Sequence, residues 1–158
     1  MAASLGVEAK KDDPLVFAVV DKATGRAEGK QSLMRIVPEH GVIDIGGILC
    51  GDRIARTRVA TEAQYLFARY AFDELGYRRY EWKCNAMNVP SRRAAERFGF
   101  SFEGVFRQHM IVKGENRDTA WFAMIDADWP RIRAGYERWL EPGNFEADGT
   151  QRTRLSFE

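Results

Sequence analysis

The sequence predicts an α/β fold in which a mixed, twisted sheet is flanked by helices. Runs with strand-like and helix-like periodicity follow one another in the order β-β-β-α-β-α-β-β-α. Glycines and short polar segments separate these runs. At 158 residues, with 45% hydrophobic and 30% charged side chains, the chain suits one globular domain. Together these observations favour a single sheet with helices packed against it around one hydrophobic core.

The first three predicted elements are strands. Pro14–Asp21 is followed by the tight turn KATGRAEG and by a hairpin partner over Gln31–Val37. Val42–Leu49 is the third strand. Gly46 and Gly47 interrupt its apolar run, and glycines inside a strand indicate a bulge or a break.

A helix is predicted over Thr61–Leu75. Thr61 and Gln64 fit a capping box, and Gly76 ends the helix. The apolar residues recur at helical spacing, so we expect them to form one stripe that faces the core. The stripe consists of Ala63, Leu66, Phe67, Tyr70, Ala71 and Leu75.

The next strand, Arg78–Asn85, alternates strictly between apolar and charged residues, which predicts one buried face. Tyr80, Trp82 and Cys84 form the apolar face, and Arg79, Glu81 and Lys83 form the charged one. Cys84 is interpreted as a small packed side chain rather than a nucleophile, because no histidine is predicted beside it.

A short helix is predicted in the segment CNAMNVPSRRAAERFGFSF. Asn88 caps its first amides, Pro90 lies in the first turn, and Gly99 supplies a left-handed stop. Ser91 then lies at the entrance of the helix, at the front of its buried face.

The remaining elements are a hairpin, Val105–Val112 and Thr119–Asp126 around KGENRD, and a final helix, Trp129–Leu140. We expect residues 1–13 to form a flexible stub, residues 14–140 the domain, and residues 141–158 a loosely held polar tail.

Composition argues against several function classes. The formal net charge of +1 gives no basic field for nucleic acid. The apolar runs are much shorter than the ~20 residues needed to cross a bilayer, so no membrane partner is expected. Cys50 and Cys84 match neither a metal-ligand nor a disulfide spacing, and no metal is expected. The N-terminus does not read as a leader, which favours a cytoplasmic protein.

Two motifs carry a resemblance to a known family. R-I-A-R-T-R-V-A-T-E-A and N-V-P-S-R-R-A-A-E-R-F-G-F-S-F-E-G resemble the GNAT superfamily of acetyl-CoA-dependent N-acetyltransferases, most closely its ribosomal-protein alanine acetyltransferase (RimJ/RimL-like) branch. The resemblance covers about residues 14–140. It implies a sheet split into a V between the third strand and the strand after the first helix, with acetyl-CoA in the split.

The resemblance also implies where the pyrophosphate binds, and helix N-termini favour anions. The family usually has Arg/Gln-x-x-Gly-x-Gly/Ala before the first helix, whereas this chain has Arg53 with Arg56 and Arg58 at the glycine positions. These arginines predict charge-assisted phosphate contacts, and a solvated basic turn is the alternative. The implied cofactor-binding residues are Ile48, Leu49, Arg53, Arg56, Thr57, Arg58, Val59, Ala60, Thr61, Asn88, Ser91 and Arg93.

Acetyl transfer to an amine needs a base, an acid and a donor to the carbonyl oxygen. Asp44 is the candidate base, since it is the single carboxylate in an apolar strand; satisfaction by amides or an arginine is the alternative. Ser91 is the candidate acid for the departing sulfur, or it bonds its own helix backbone. A backbone N–H between Gly46 and Leu49 is expected to polarise the carbonyl.

The other ionisable residues are interpreted as structural or surface residues rather than catalytic ones. In the ribosomal-protein branch a carboxylate base aligns with Met110, which leaves that position without a base here. Strand alternation turns its neighbour His109 to the opposite face, and His40 lies in a turn at the surface. Glu103 is interpreted as a member of a salt bridge on the sheet.

The function predicted is transfer of acetyl from acetyl-CoA to a primary amine, either a protein N-terminus or a small molecule. The alternative is a catalytically impaired remnant that binds CoA or a protein partner. The strand and helices with which family domains begin are not found before Pro14. We therefore expect an exposed sheet edge and a homodimer that covers it.

Overall fold

The computed structural model describes residues 13–158, which form a six-stranded sheet and three helices in the predicted order. The strands are β1 (Leu15–Asp21), β2 (Arg26–Val37), β3 (Val42–Cys50), β4 (Arg79–Asn85), β5 (Ser101–Val112) and β6 (Glu115–Ile125). The helices are α1 (Arg58–Arg69), which continues as a π-helical turn over Tyr70–Glu74, α2 (Val89–Arg97) and α3 (Trp129–Leu140). The predicted mixed α/β class is confirmed.

The sheet divides between its third and fourth members. Its strand order is β1-β2-β3-β4-β6-β5, and β3–β4 is the parallel pair. The register pairs only Val42–Ile45 with Arg79–Trp82. Both strands continue beyond these pairs without facing each other, so they part like the arms of a V. This is the split that the sequence resemblance implies.

A bulge in β3 lies at the beginning of the split. The β2–β3 register passes from Ser32 opposite Gly46 to Lys30 opposite Leu49, which gives β3 an extra residue. Gly47 has a φ of +58°, and a Cβ there would lie 3.0 Å from Ser32 Oγ. The break predicted from the two glycines is therefore confirmed.

The core lies between one face of the sheet and the three helices. Aromatic rings dominate it, and Tyr65 and Phe72 of α1 stack on Trp129 of α3 with centroids 6.2 and 5.2 Å apart. Tyr80, Trp82 and Cys84 are buried on this face, as predicted. Within residues 13–158 no helix covers the opposite face, which we call the open face.

Helix α1 begins three residues earlier than predicted. Thr57 is its N-cap residue and makes no side-chain cap bond, so the capping box predicted for Thr61 and Gln64 is wrong. Thr61 is 1% exposed and donates to the Thr57 carbonyl, and Gln64 donates to Gln31 Oε1 at 2.7 Å. These polar side chains therefore form hydrogen bonds in the protein interior and do not cap the N-terminus of the helix.

The predicted core face of α1 is correct only in part. Ala71 is buried, and Phe67 packs against the core. Leu66, Tyr70 and Leu75, however, are 42%, 38% and 37% exposed. The buried face instead carries polar side chains together with Tyr65, whose hydroxyl donates to Glu137 Oε1 at 3.0 Å. Because buried polar groups are tolerated once they are hydrogen-bonded, hydrophobicity alone pointed to the other side.

Both hairpins are longer than predicted. Strand β2 starts at Arg26, inside the predicted turn. Strands β5 and β6 are joined by Lys113 and Gly114, with φ values of +54° and +82°, which are typical of a two-residue hairpin turn. Residues 115–118 of the predicted loop are paired or lie within β6. The polar composition of KGENRD obscured this short turn.

The segment after α3 is packed and not loosely held. Phe157 contacts Tyr136 with ring centroids 5.4 Å apart, and Arg131 donates to the Phe157 carbonyl at 2.7 Å. Asn144 is buried and bonds both the Trp139 carbonyl and the Thr153 amide. The polar composition of this tail concealed a few anchoring residues that dock it on α3.

We expect Gly135→Ala to lower the free energy of unfolding by about 1–3 kcal/mol, because overpacking forces a well-packed backbone to move. A Cβ at Gly135 would lie 2.5 Å from the Ser156 carbonyl oxygen and 2.6 Å from Phe157. Gly143→Ala is the matched control, since nothing lies within 4 Å of its Cβ. Denaturant unfolding measures both, and equal stability of the two variants would contradict tight docking of the tail.

Candidate functional site

The N-terminus of α1 and the loop before it, residues 53–60, present several unpaired backbone amides, and we call this region the donor-rich mouth of α1. The loop before it is anchored by Ile54, which is 3% exposed, and by Thr57 Oγ1, which donates to the Ile54 carbonyl at 2.7 Å. Within residues 13–158 the amides of Arg58, Val59 and Ala60 have no backbone acceptor. Free amides at a helix N-terminus, together with the helix dipole, favour a phosphate or another anion.

The three arginines of this mouth have different surroundings. Arg53 Nη1 donates to Glu28 Oε1 at 3.3 Å. Arg58 Nη2 donates to the Leu140 carbonyl at 2.6 Å, and its guanidinium lies 4.8 Å from the Phe145 ring centroid. Arg56 is exposed and has a φ of +65°. The chain thus keeps a left-handed residue where the family usually has glycine.

We expect Arg56→Gly to keep or raise the free energy of unfolding, by up to about 1 kcal/mol, because glycine adopts a positive φ without steric cost. The neighbouring Ala55→Gly is the matched control and is expected to lower stability by a similar amount, since Ala55 has no positive φ. Thermal unfolding compares them. A clear loss of stability in Arg56→Gly would show that its side chain holds the loop.

The entrance of α2 brings Ser91 to the split. Asn88 Oδ1 accepts from the Ser91 amide at 3.1 Å, which confirms the predicted cap. Trp82 Nε1 donates to Ser91 Oγ, also at 3.1 Å. The serine oxygen therefore accepts from an indole, and its hydroxyl hydrogen remains available to donate. Arg93, one turn into the helix, is exposed.

Asp44 lies on the open face and is completely buried. The ammonium of Lys83 contacts its Oδ2, and Arg35 Nε lies 3.5 Å from the same oxygen. Its Oδ1 has no partner within residues 13–158. Burial raises the pKa of the Asp44 carboxyl above its ordinary value, and the hydrogen bond from Lys83 partly offsets this rise.

A cleft of about 450 Å³ opens on the same face. Its lining combines aromatic with charged side chains: Arg35, Arg79, Glu81, Glu103, Phe106, His109 and Trp121. Arg79 holds Glu103 with two bonds of 2.9 and 2.6 Å, which confirms the predicted salt bridge. This contact lowers the pKa of Glu103. Trp121 of β6 is paired with Lys83 of β4. Lys83 directly follows Trp82, the last residue of β4 that is paired with β3.

A bulge in β5 changes the position expected for His109. Phe106 faces Thr119 and Met110 faces Arg117, so three residues of β5 stand opposite one of β6. His109 consequently enters the cleft, where its Nδ1 lies 2.9 Å from Thr119 Oγ1. The prediction that alternation keeps this ring away from the site is wrong, because alternation does not continue through a bulge.

The two predicted catalytic residues flank the split from opposite faces of the sheet. Asp44 is on the open face, and Ser91 reaches Trp82 on the helical face. Their partners Trp82 and Lys83 were not predicted as site residues. The alternation of apolar and charged residues in β4 could have indicated them, since it places these two neighbouring residues on opposite faces of the sheet.

Two further observations concern the described part of the chain. Residues 13–158 contain no group of three or more His, Cys, Asp or Glu side chains arranged to hold a metal ion. In the same range, no helix has both the length and the apolar character required to span a bilayer.

Comparisons with known proteins agree with this geometry. Residues 2–101 match the family model described as an acetyltransferase (GNAT) domain. The probable N-acetyltransferase YjcK of Bacillus subtilis is 30% identical over 123 residues, which cover 75% of this chain and 66% of that protein.

Solved structures share the fold. A GCN5-related N-acetyltransferase from Brucella melitensis is 58% identical with a TM-score of 0.94, covering 98% of this chain and 70% of that one. A putative ribosomal-protein-serine acetyltransferase from Vibrio cholerae is 24% identical with a TM-score of 0.66, over 78% and 70% of the two chains, and shows the fold alone. With a family model matched over most of its length and a sheet that splits at the expected strands, this chain belongs to the GNAT acetyltransferase family.

Proposed function

We propose that this protein transfers an acetyl group from acetyl-CoA to a primary amine. The observation that carries the proposal is the separation of β3 from β4 after Ile45 and Trp82. Strand β3 leads from this split into the loop before α1, and Glu81 of β4 lines the cleft on the open face. A long acyl carrier with a phosphate end and a reactive end is the kind of ligand that we propose for this arrangement.

The residues of the split fit the chemical groups of acetyl-CoA. The amides of Arg58, Val59 and Ala60 offer donors to the pyrophosphate, and exposed Arg56 adds a cation. The backbone of Ile48 and Leu49 has no partner in β4 and offers hydrogen bonds to the amide groups of the pantetheine arm. Arg58 takes part through its amide, since its guanidinium is bound to the Leu140 carbonyl.

The chain also offers the chemistry that acetyl transfer requires. Backbone N–H groups between Gly46 and Leu49 have no partner in β4 and are the candidate donors to the carbonyl oxygen. Ser91 is the candidate proton donor to the departing sulfur, because Trp82 already satisfies one of its lone pairs. Asp44 is the base predicted from the sequence, and its unpartnered Oδ1 is the atom that would accept a proton.

The acceptor is proposed to be a peptide N-terminus or a small primary amine. Short peptides with N-terminal alanine are the first acceptors to try, because the two sequence motifs resemble the ribosomal-protein alanine acetyltransferase branch. The RimJ/RimL-like assignment and a cytoplasmic location belong to this proposal as well.

Release of free thiol from acetyl-CoA tests the proposal, with those peptides and with small primary amines as acceptors. Turnover that depends on the acceptor supports it. Calorimetry with CoA gives the necessary second measurement. Tight binding without turnover would instead favour the alternative of an impaired module that binds CoA or a protein partner.

We also propose that the protein forms a homodimer. Phe17 and Val20 on the edge strand β1 are 41% and 50% exposed, and Leu66 of α1 is 42% exposed. Apolar side chains grouped at a sheet edge favour association with another chain. Light scattering at high protein concentration tests this, and a monomer under those conditions would contradict it.

A further inference from the structure

We propose that His109 is the general base that removes the proton from the acceptor ammonium. The inference rests on the proposed acetyl transfer and assigns its base to a residue other than the one predicted from the sequence. It follows from the position of the imidazole in the open-face cleft.

The His109 ring is held on three sides. Its Nδ1 contacts Oγ1 of Thr119, which is 1% exposed. Phe106 meets the ring edge-on at 5.5 Å, and Trp121 lies 6.1 Å away. Within residues 13–158 no contact is found for Nε2. With the Nδ1 proton donated to Thr119, the Nε2 lone pair is free to accept a proton inside the cleft.

Asp44 is less suited to meet an amine directly. Its side chain is 1% exposed, and the Lys83 ammonium lies against Oδ2. The other oxygen, Oδ1, is buried as well, so a substrate ammonium would have to enter the interior beside the Lys83 cation to reach it. A general base has to lie within hydrogen-bond reach of the proton that it abstracts, and an exposed imidazole meets this condition more easily than a covered carboxylate.

The charges that face His109 come from several strands. Strand β2 contributes Arg35, β4 contributes Arg79 and Glu81, and β5 contributes Glu103. Lys83 lies over the Trp121 ring and contacts Asp44. Strand β6 contributes Trp121 to the cleft and Thr119 as the partner of His109 Nδ1. Its Asp118 accepts from the Gln108 amide beside His109 at 2.8 Å. The arginine, lysine and carboxylate charges largely pair with each other, which leaves the His109 imidazole, among residues 13–158, as the basic side chain of the cleft that forms no ion pair.

The proton balance is simple. The acceptor ammonium gives one proton to His109 Nε2, and the neutral amine forms the C–N bond with the acetyl carbon. When the C–S bond breaks, the sulfur takes a second proton from the nitrogen through the Ser91 hydroxyl. The third hydrogen stays on the amide. The imidazolium then releases its proton to solvent, and the starting state returns.

The test compares His109→Asn with His40→Gln across pH 5–9. Asparagine retains a polar group near Thr119 but removes Nε2, and His40 is exposed in the 3₁₀ turn Pro38–His40. We expect His109→Asn to lower kcat/KM for the amine by about 10²-fold or more and to alter the pH dependence of the rate. Imidazole in the buffer should restore part of the rate. Binding of CoA should remain unchanged.

Each possible result either supports or contradicts the assignment of His109 as the base. If His109→Asn keeps the rate and the pH profile of the unsubstituted protein, the inference is overturned while the proposed function stands. The same holds if Asp44→Asn, and not His109→Asn, alters the pH dependence of the rate. If the unsubstituted protein binds CoA but transfers no acetyl to any acceptor, the proposed function and this inference both fall.

Discussion

The Ser91→Ala protein is expected to turn over acetyl-CoA about 10²-fold more slowly, with a smaller change in affinity for CoA. The serine hydroxyl accepts from Trp82 Nε1 and keeps its own hydrogen for an acceptor in the split. Loss of a positioned proton donor typically costs 10²- to 10⁴-fold in rate, so about 10² is the smaller expectation. Stopped-flow or steady-state thiol release measures kcat, and calorimetry measures binding.

Two companion variants separate chemistry from folding. Ser101→Ala removes an exposed hydroxyl at the start of β5 and is expected to have no effect on kcat. Trp82→Phe retains the ring but removes the donor, and should lower kcat less than Ser91→Ala, since the hydroxyl remains. If Ser91→Ala keeps full kcat, the sulfur receives its proton from water and not from this residue.

Lys83→Met is expected to lower the free energy of unfolding by about 3 kcal/mol at neutral pH, because a buried charge that loses its partner is strongly destabilising. Asp44 is 1% exposed, and Lys83 is its closest cation. Burial already raises the pKa of Asp44 from its ordinary value of 3.8, and Lys83 opposes this rise. Without the ammonium, the pKa of Asp44 in the folded protein should rise further.

The pH dependence of Lys83→Met follows from that rise. A raised pKa in the folded state means that the folded protein binds the proton more tightly than the unfolded chain. Stability of the variant is therefore retained below pH 3.8 and falls as the pH rises through the raised pKa of the folded state. The Asp44→Asn/Lys83→Met pair removes the carboxylate and should flatten this dependence. Urea unfolding at several pH values measures both, and a pH-independent Lys83→Met would contradict the argument.

Local patterns in the sequence predict the strands and the capped helix but not the orientation of α1. Asn88 and Pro90 determine the start of α2 within a few residues, so local chemistry is sufficient there. The buried face of α1 instead depends on partners far along the chain, such as Gln31 for Gln64. A pattern of hydrophobicity contains no information about these distant hydrogen bonds.

In the candidate site, too, local sequence predicts some features, while others depend on tertiary contacts. The isolation of Asp44 in an apolar strand indicated a partly desolvated carboxylate, and in the structure this residue is fully buried, at 0% exposure. Its pairing with Lys83 requires the parallel register of β3 with β4, and this register is a tertiary property. The position of His109 depends on the β5 bulge, where Gln108 has a φ of +51° without a glycine to signal it.

The packed C-terminal segment has a practical consequence for work on this domain. The Arg58 guanidinium rests on Phe145 and is tied to the end of α3 by the Leu140 carbonyl. Trimming the polar residues after Leu140, a common step in preparing crystals, would remove the Phe145 ring and free an arginine next to the amides that we propose to bind phosphate. The shortened protein is then expected to have a coenzyme affinity different from that of the 158-residue chain.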